Sequence, residues 1–324
     1  MPSVPPTLAA TATAATPSPH DLARGWALGV LGVVIFALTI PMTRLASGSL
    51  ADPQLPAVFV AIGRAALAGL LSLAWLGWRR AAWPTAAQWR LLAFTGCGVV
   101  VGFPLFMGLA VVRVDAVHAS VVTGLLPLAT ATVGAVLLRQ RPSPAFWACA
   151  LLGTALVVGF AWWRGGAALQ LADGLLLIAM LAAAVGYVQG ARLSTGGPGR
   201  AAMPPASVIC WVLVMALPMT LPVAALTWPS APVRPQAWGG FAYVAVFSMW
   251  LGFFAWYRGL ALGGTLRVSQ VQLLQPFLGM AFAVPVLGES LDAVTVAFAF
   301  AVMATVFVSR HLPTPAGPHN KEAT

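Results

Sequence analysis

Residues 120–147 read SVVTGLLPLATATVGAVLLRQRPSPAFW, and residues 269–296 read SQVQLLQPFLGMAFAVPVLGESLDAVTV. Setting Pro127 on Pro276 also aligns Ser120 with Ser269, Thr123 with Gln272, Leu138 with Leu287 and Gln140 with Glu289. Each stretch is a long apolar helix with a central proline, a short polar corner and the start of another apolar helix. Internal repetition in a membrane protein points to a transporter. Two halves that rock against each other give alternating access to a site between them.

Composition makes the membrane the solvent. The 324-residue chain is 60% hydrophobic and 7% charged, and its mean hydropathy is +0.90. A soluble domain needs about a quarter of its residues charged. In lipid each backbone amide must be satisfied within its own segment, so long apolar runs are helices. A β-barrel would alternate over short segments, and these runs do not. The formal net charge is +10, but the arginines lie between apolar runs and form no patch. They set topology, and nucleic acid is not expected as a partner. Cys97, Cys149 and Cys210 sit inside apolar runs with no metal-ligand spacing and no disulfide framework.

Ten apolar runs are predicted to span, near 25–46, 57–77, 89–111, 116–138, 145–163, 174–193, 206–226, 237–260, 267–287 and 291–310. Residues 1–24 and 311–324, rich in Pro and polar or small residues, are expected to be disordered cytoplasmic tails. The N-terminal stretch lacks the basic start of a secretory signal, so the first run is expected to be a retained helix. With the N-terminus inside, twelve Lys and Arg fall on the cytoplasmic side. Only Arg44, Arg113, Arg164 and Arg234 fall outside. Five spans per half is odd, so the halves must be inverted relative to each other. The fold class expected is an all-α integral membrane protein: ten transmembrane helices in two inverted five-helix repeats, residues 25–164 and 173–310. Both termini are expected in the cytoplasm.

Several residues stand out as candidates. Ser269, Gln272 and Gln275 recur every three residues, within about 120° on one helix face. Glutamines facing lipid would be costly, so this stripe faces protein or a cavity. It either glues helices or touches a solute, and Ser120 and Thr123 match it on the fourth helix. Arg64 lies about 10 Å into the second span at 1.5 Å per residue. It either carries a functional charge, attracting a carboxylate or phosphate, or snorkels to the interface. Pro127 and Pro276 are either fixed bends or hinges. His118, near Asp115 and Arg113, can titrate near neutral pH and is a coupling candidate, as is Glu289. Glu289 and Asp292 also suit ordinary helix capping. Tyr187 and Trp250, inside spans, are either packing or an apolar wall. The pairs Gly98–Gly102 and Gly186–Gly190 suit close helix contact.

The chain resembles the drug/metabolite transporter superfamily with two EamA-type repeats, over about 25–164 and 173–310. The residues that carry the resemblance are Arg64 in AIGRAALAGLL, the paired GLA at 108–110 and 259–261, and LGES at 287–290. Each GLA precedes a Ser and then a helix with a mid-span proline, and LGES is similar to the family's Leu-Gly-Glu-Arg corner. The first copy departs from it: Arg139-Gln140 stands where the family often has Gly-Glu, so Glu289 alone keeps that acid. The resemblance implies a secondary transporter, often an exporter, of amino acids or related small metabolites, in the plasma membrane (a bacterial inner membrane). It implies no cofactor and no enzyme activity. The partners expected are a small-molecule solute and the bilayer, and a homodimer is compatible with the sequence. The other classes are a structural multi-span protein and an intramembrane enzyme. The enzyme lacks support, because no HExxH, GxSxG or clustered acids occur.

Overall fold

A computed structural model of the chain describes residues 19–137, 143–164, 169–196, 201–263 and 269–311. Among these the protein is all-helical, with one isolated bridge between Gly48 and Pro53 and no strand. Eight helices are long and apolar enough to cross a membrane. They are α1 (His20–Ser47), α2 (Ala57–Trp78), α3 (Ala86–Val111), α4 (Ala116–Leu137), α5 (Pro144–Arg164), α6 (Leu171–Ser194), α7 (Pro205–Leu226) and α8 (Pro235–Gly259). Two shorter apolar helices follow, α9 (Val271–Leu287) and α10 (Ala293–Val308). Boundaries fall close to the apolar runs. The main shift is at the start, where helix begins at Pro19, inside the stretch expected to be a disordered tail. Proline at the first helical position with Asp21 in the first turn is an ordinary helix start. Residues 1–18 and 312–324 lie outside the described residues.

The helices pack in a regular scheme. α1 lies on α8, and α3 on α6. α2 lies on α7, α4 on α9, and α5 on α10. Replacing each helix by the one five places away leaves this set of pairs unchanged. Glycine permits the two closest crossings. A Cβ on Gly98 would sit 2.3 Å from the Ala182 carbonyl oxygen and 2.8 Å from Gly186 Cα. A Cβ on Gly259 would sit 2.7 Å from Gly29 N. Without a hydrophobic force between helices in lipid, such close backbone approach supplies the association by dispersion. Large apolar side chains such as Leu73, Leu151, Leu181 and Phe300 remain exposed on the outside. Trp26, Trp78, Trp162, Trp163 and Trp228 are exposed near helix ends, where indole suits a membrane–water boundary. This is the surface of a multi-pass membrane protein.

One end of the bundle is strongly cross-tied. Arg44 of α1 donates to the Val111 carbonyl. Arg234 pairs with Asp52. Arg164 sits 3.6 Å from Asp115 and 3.2 Å from Asp292. These pairs are partly or mostly exposed, so each contributes little on its own. At the opposite end Gln88 donates to the Ala201 carbonyl at 3.0 Å, joining the first turn of α3 to the α6–α7 connection.

Candidate functional site

The regular helices are interrupted near their middles, and the interruptions meet. In α1 a turn at Leu38 precedes a segment restarting at Thr39. In α3 a π-helical stretch, Cys97–Gly102, precedes a segment from Phe103. In α4 a turn at Gly124 and Leu125 precedes one from Leu126. At the start of α9 a 3₁₀ stretch, Ser269–Leu274, leads into a segment from Gln275. Proline is the local cause. Pro104, Pro127 and Pro276 each occupy the second position of the restarted segment, and Pro41 the third. There the missing N–H costs nothing and the ring no longer meets a preceding carbonyl. α8 carries its own π-helical stretch, Tyr243–Leu251, without proline. Such bulges cluster at functional sites because they turn side chains out of register.

Thr39, Phe103, Leu126 and Gln275, the four restart residues, all line one central cavity. Its polar groups are completed by Arg64, Thr123, Tyr187 and Ser248, and Phe36 and Phe253 add to the apolar wall. The cavity volume is about 40 Å³, space for about three waters. Thr39 Oγ1 and Ser248 Oγ lie 2.8 Å apart, a buried bond between α1 and α8. Thr123 Oγ1 donates back to the Ala119 carbonyl at 2.9 Å. Arg64 is buried, only 4% exposed, and does not snorkel to the surface. Tyr187 of α6 lines the same cavity.

The structure thus brings together Arg64, Thr123, Tyr187 and Gln275 from the sequence candidates. Gln272 and Trp250 are not among the lining residues. Gln272 keeps the face of Gln275, but one 3₁₀ turn displaces it about 6 Å along the axis, and it is half-buried. Trp250 packs with Phe254 in the core between α2, α7 and α8. Ser120 lies outside the cavity at the α4–α9 crossing. Its Oγ donates to the Ala116 carbonyl at 2.7 Å and occupies the space over Gly279. The side chain of Ser269 lies outside the described residues, as does Gln140. Sequence inspection missed Thr39 and Ser248. The signal for Thr39 was Pro41 two residues on; Ser248, a lone hydroxyl in an apolar run, gave none.

The coupling candidates sit at the tied end. His118 Nε2 is 2.7 Å from Asp173 Oδ1, both buried, so its partner is on α6 and not the nearby Asp115. Glu289 does not cap its own α10. Its two carboxylate oxygens accept from the amides of Ala116 and Val117, each at 2.8 Å, and so cap α4 from the other half of the chain. Asp115, at the conventional capping position, makes no side-chain cap. α10 is capped instead by Asp292, which accepts from the Thr295 amide at 2.8 Å and hydroxyl at 2.7 Å. The two acids differ electrostatically. Burial holds the Glu289 carboxyl above the usual carboxylate range; the Val117 and Ala116 amides oppose this, Asp115 adds to it, and Arg44 opposes it. The Thr295 amide and then its hydroxyl hold Asp292 below that range.

Interrupted apolar helices, a polar cavity inside the bundle and a lipid-compatible exterior are features found in membrane transporters. The profile of the EamA-like transporter family matches residues 23–162 and again 170–310. The chain therefore belongs to the EamA-like transporter family and carries two EamA repeats. It is 40% identical over 289 residues to the uncharacterized transporter YdeK of Bacillus subtilis (strain 168), covering 89% of this chain and 97% of that protein. A solved crystal structure superposes with a TM-score of 0.58 at 19% identity, covering 89% of this chain and 96% of that one. That last likeness concerns the fold alone.

Proposed function

We propose that the protein is a secondary transporter that exports a small polar or amphipathic metabolite by alternating access of two inverted five-helix repeats. In this reading all ten apolar helices cross the membrane and both termini are cytoplasmic. The observation that carries it is the central cavity, lined by both halves of the chain at the points where their helices are interrupted. The exchange of helix pairs under a five-place shift supports the repeat relation, and the arginine bias supports the orientation. Export rests on the family resemblance.

A cavity of about 40 Å³ admits water but no metabolite, so loading requires the helices to part. Arg64, Thr123, Tyr187 and Gln275 are proposed to contact the solute, with Pro127 and Pro276 as the sites of bending. Glu289 and His118 are proposed to couple through the position of α4, since both hold its N-terminal end and neither lines the cavity. The test compares the metabolites of cells that overexpress the protein with those of deletion cells, followed by uptake of the altered compounds into everted vesicles. The compound depleted inside overexpressing cells relative to deletion cells is expected to accumulate in the everted vesicles. No difference in either rejects transport.

A further inference from the structure

The central cavity contains a cation without a counter-ion. The Nε of Arg64 is buried and has no hydrogen-bond partner. The ion pairs His118–Asp173, Arg164–Asp115, Arg164–Asp292 and Arg234–Asp52 leave Arg64 out. The reason is visible in the sequence. Asp21, Asp52, Asp115, Asp173, Glu289 and Asp292 all lie in first helical turns or connections, and the remaining acid, Glu322, is in the tail. Among the described residues, no carboxylate lines the cavity that Arg64 enters. A desolvated guanidinium left unpaired is strongly unfavourable. In a membrane interior such a group marks a pathway or binding site.

We propose, on the basis of the transporter reading above, that Arg64 is the counter-charge for the cargo and that the cargo is a small organic monoanion, a carboxylate or another singly charged oxyanion. The planar guanidinium offers two parallel donors to such a group. The hydroxyl of Tyr187, the free one of the bonded pair Thr39 and Ser248, and the amide of Gln275 line the same cavity and can donate to its remaining lone pairs. Phe36, Phe103 and Phe253 provide the surface for its hydrocarbon part. A zwitterion fits less well. Its ammonium would find no carboxylate in the cavity and would be repelled by Arg64. The loaded site is electrically neutral and the empty one carries +1. The loaded carrier therefore crosses between its two states more readily than the empty one, and exchange outpaces net flux.

The test uses the full-length protein in nanodiscs and measures its thermal midpoint with 4-methylpentanoate, leucine and 4-methylpentanamide, which share one carbon skeleton but differ in charge. A panel of straight-chain monocarboxylates from acetate to octanoate is added. At least one monoanion should raise the midpoint of the wild type, and leucine and the amide should not. Arg64→Gln should weaken that anion's half-saturation at least tenfold. Arg64→Lys, which keeps the charge and loses the fork, should bind more weakly but still prefer anion to amide; this variant decides the matter if Arg64→Gln does not fold. The proposal is overturned if no monoanion shifts the wild type, if leucine shifts it equally, or if Arg64→Lys shows no anion preference. Failure of the transporter reading looks different: the anion binds, yet vesicles move no solute. Vesicles that move a neutral solute equally well with Arg64→Gln would overturn the anion proposal and leave transport standing.

Discussion

The carboxylate of Glu289 accepts a 2.8 Å hydrogen bond from the backbone amide of Ala116, a residue 173 positions earlier in the chain. With the matching bond from Val117, one acid in the second repeat completes the start of a helix in the first. Ala116 and Val117 are essentially fully buried beneath this half-buried acid. Glu289→Ala should therefore destabilise the folded protein by roughly 2 kcal/mol, the scale for stranding a buried donor. Denaturant unfolding in a fixed detergent measures this. A change within a few tenths of a kcal/mol would show that the cap is not used.

Glu289 and Asp292, three residues apart, should also give opposite pH signatures. Burial raises the Glu289 pKa in the folded state. The folded protein then binds that proton more tightly than the unfolded chain. The stability that Glu289 contributes is full below the ordinary value of about 4 and is lost as pH rises through the raised one. Asp292 is depressed by its bonds to Thr295. Its contribution is full above the ordinary value and is lost as pH falls through the lowered one. The stability advantage of wild type over Glu289→Gln should shrink with rising pH, and its advantage over Asp292→Asn should shrink with falling pH. Slopes of the same sign would contradict the structure.

The sequence showed some of this and hid the rest for a physical reason. Apolar periodicity and prolines are local, so the helices and the repeated proline could be read directly. Thr123 and Gln275 were visible because polar groups stand out in apolar runs. The partners were not visible. Asp173 for His118, Ser248 for Thr39 and Ala116 for Glu289 are 55, 209 and 173 residues away, and pairings across a bundle leave no mark on spacing. Gln272 and Trp250 looked equivalent to Gln275 and Tyr187 because a linear pattern gives a helix face but not the height of a cavity along it.

The glycine crossings can be tested one side chain at a time. Gly98→Ala would place a methyl group 2.3 Å from the Ala182 carbonyl oxygen, and neither helix backbone can yield. It should cost at least about 1–3 kcal/mol, as overpacking does. Gly159→Ala meets nothing within 4 Å and should be neutral or slightly stabilising, since alanine favours helix. Thermal midpoints of the two variants side by side would settle it. Equal midpoints would contradict the α3–α6 packing.

Orientation is tested by single cysteines in a background with Cys97, Cys149 and Cys210 replaced by alanine. Leu50 and Ser230, exposed at the tied end, should react with an impermeant maleimide on intact cells. Ala82 and Ala202, exposed at the other end, should react only after permeabilisation. The reverse labelling would invert the proposed topology.

The central claim, that a solute passes through the cavity between the repeats, is tested most directly by vesicle transport of a compound identified from the metabolite comparison. Gln275→Leu and Thr123→Val remove polar atoms from the cavity lining at nearly constant volume. Gln272→Leu makes a matched change one helical turn outside it. Initial rates should fall at least tenfold for Gln275→Leu and clearly for Thr123→Val, at equal amounts of inserted protein, and should change much less for Gln272→Leu. Normal transport by both cavity variants would contradict the account and place the pathway elsewhere.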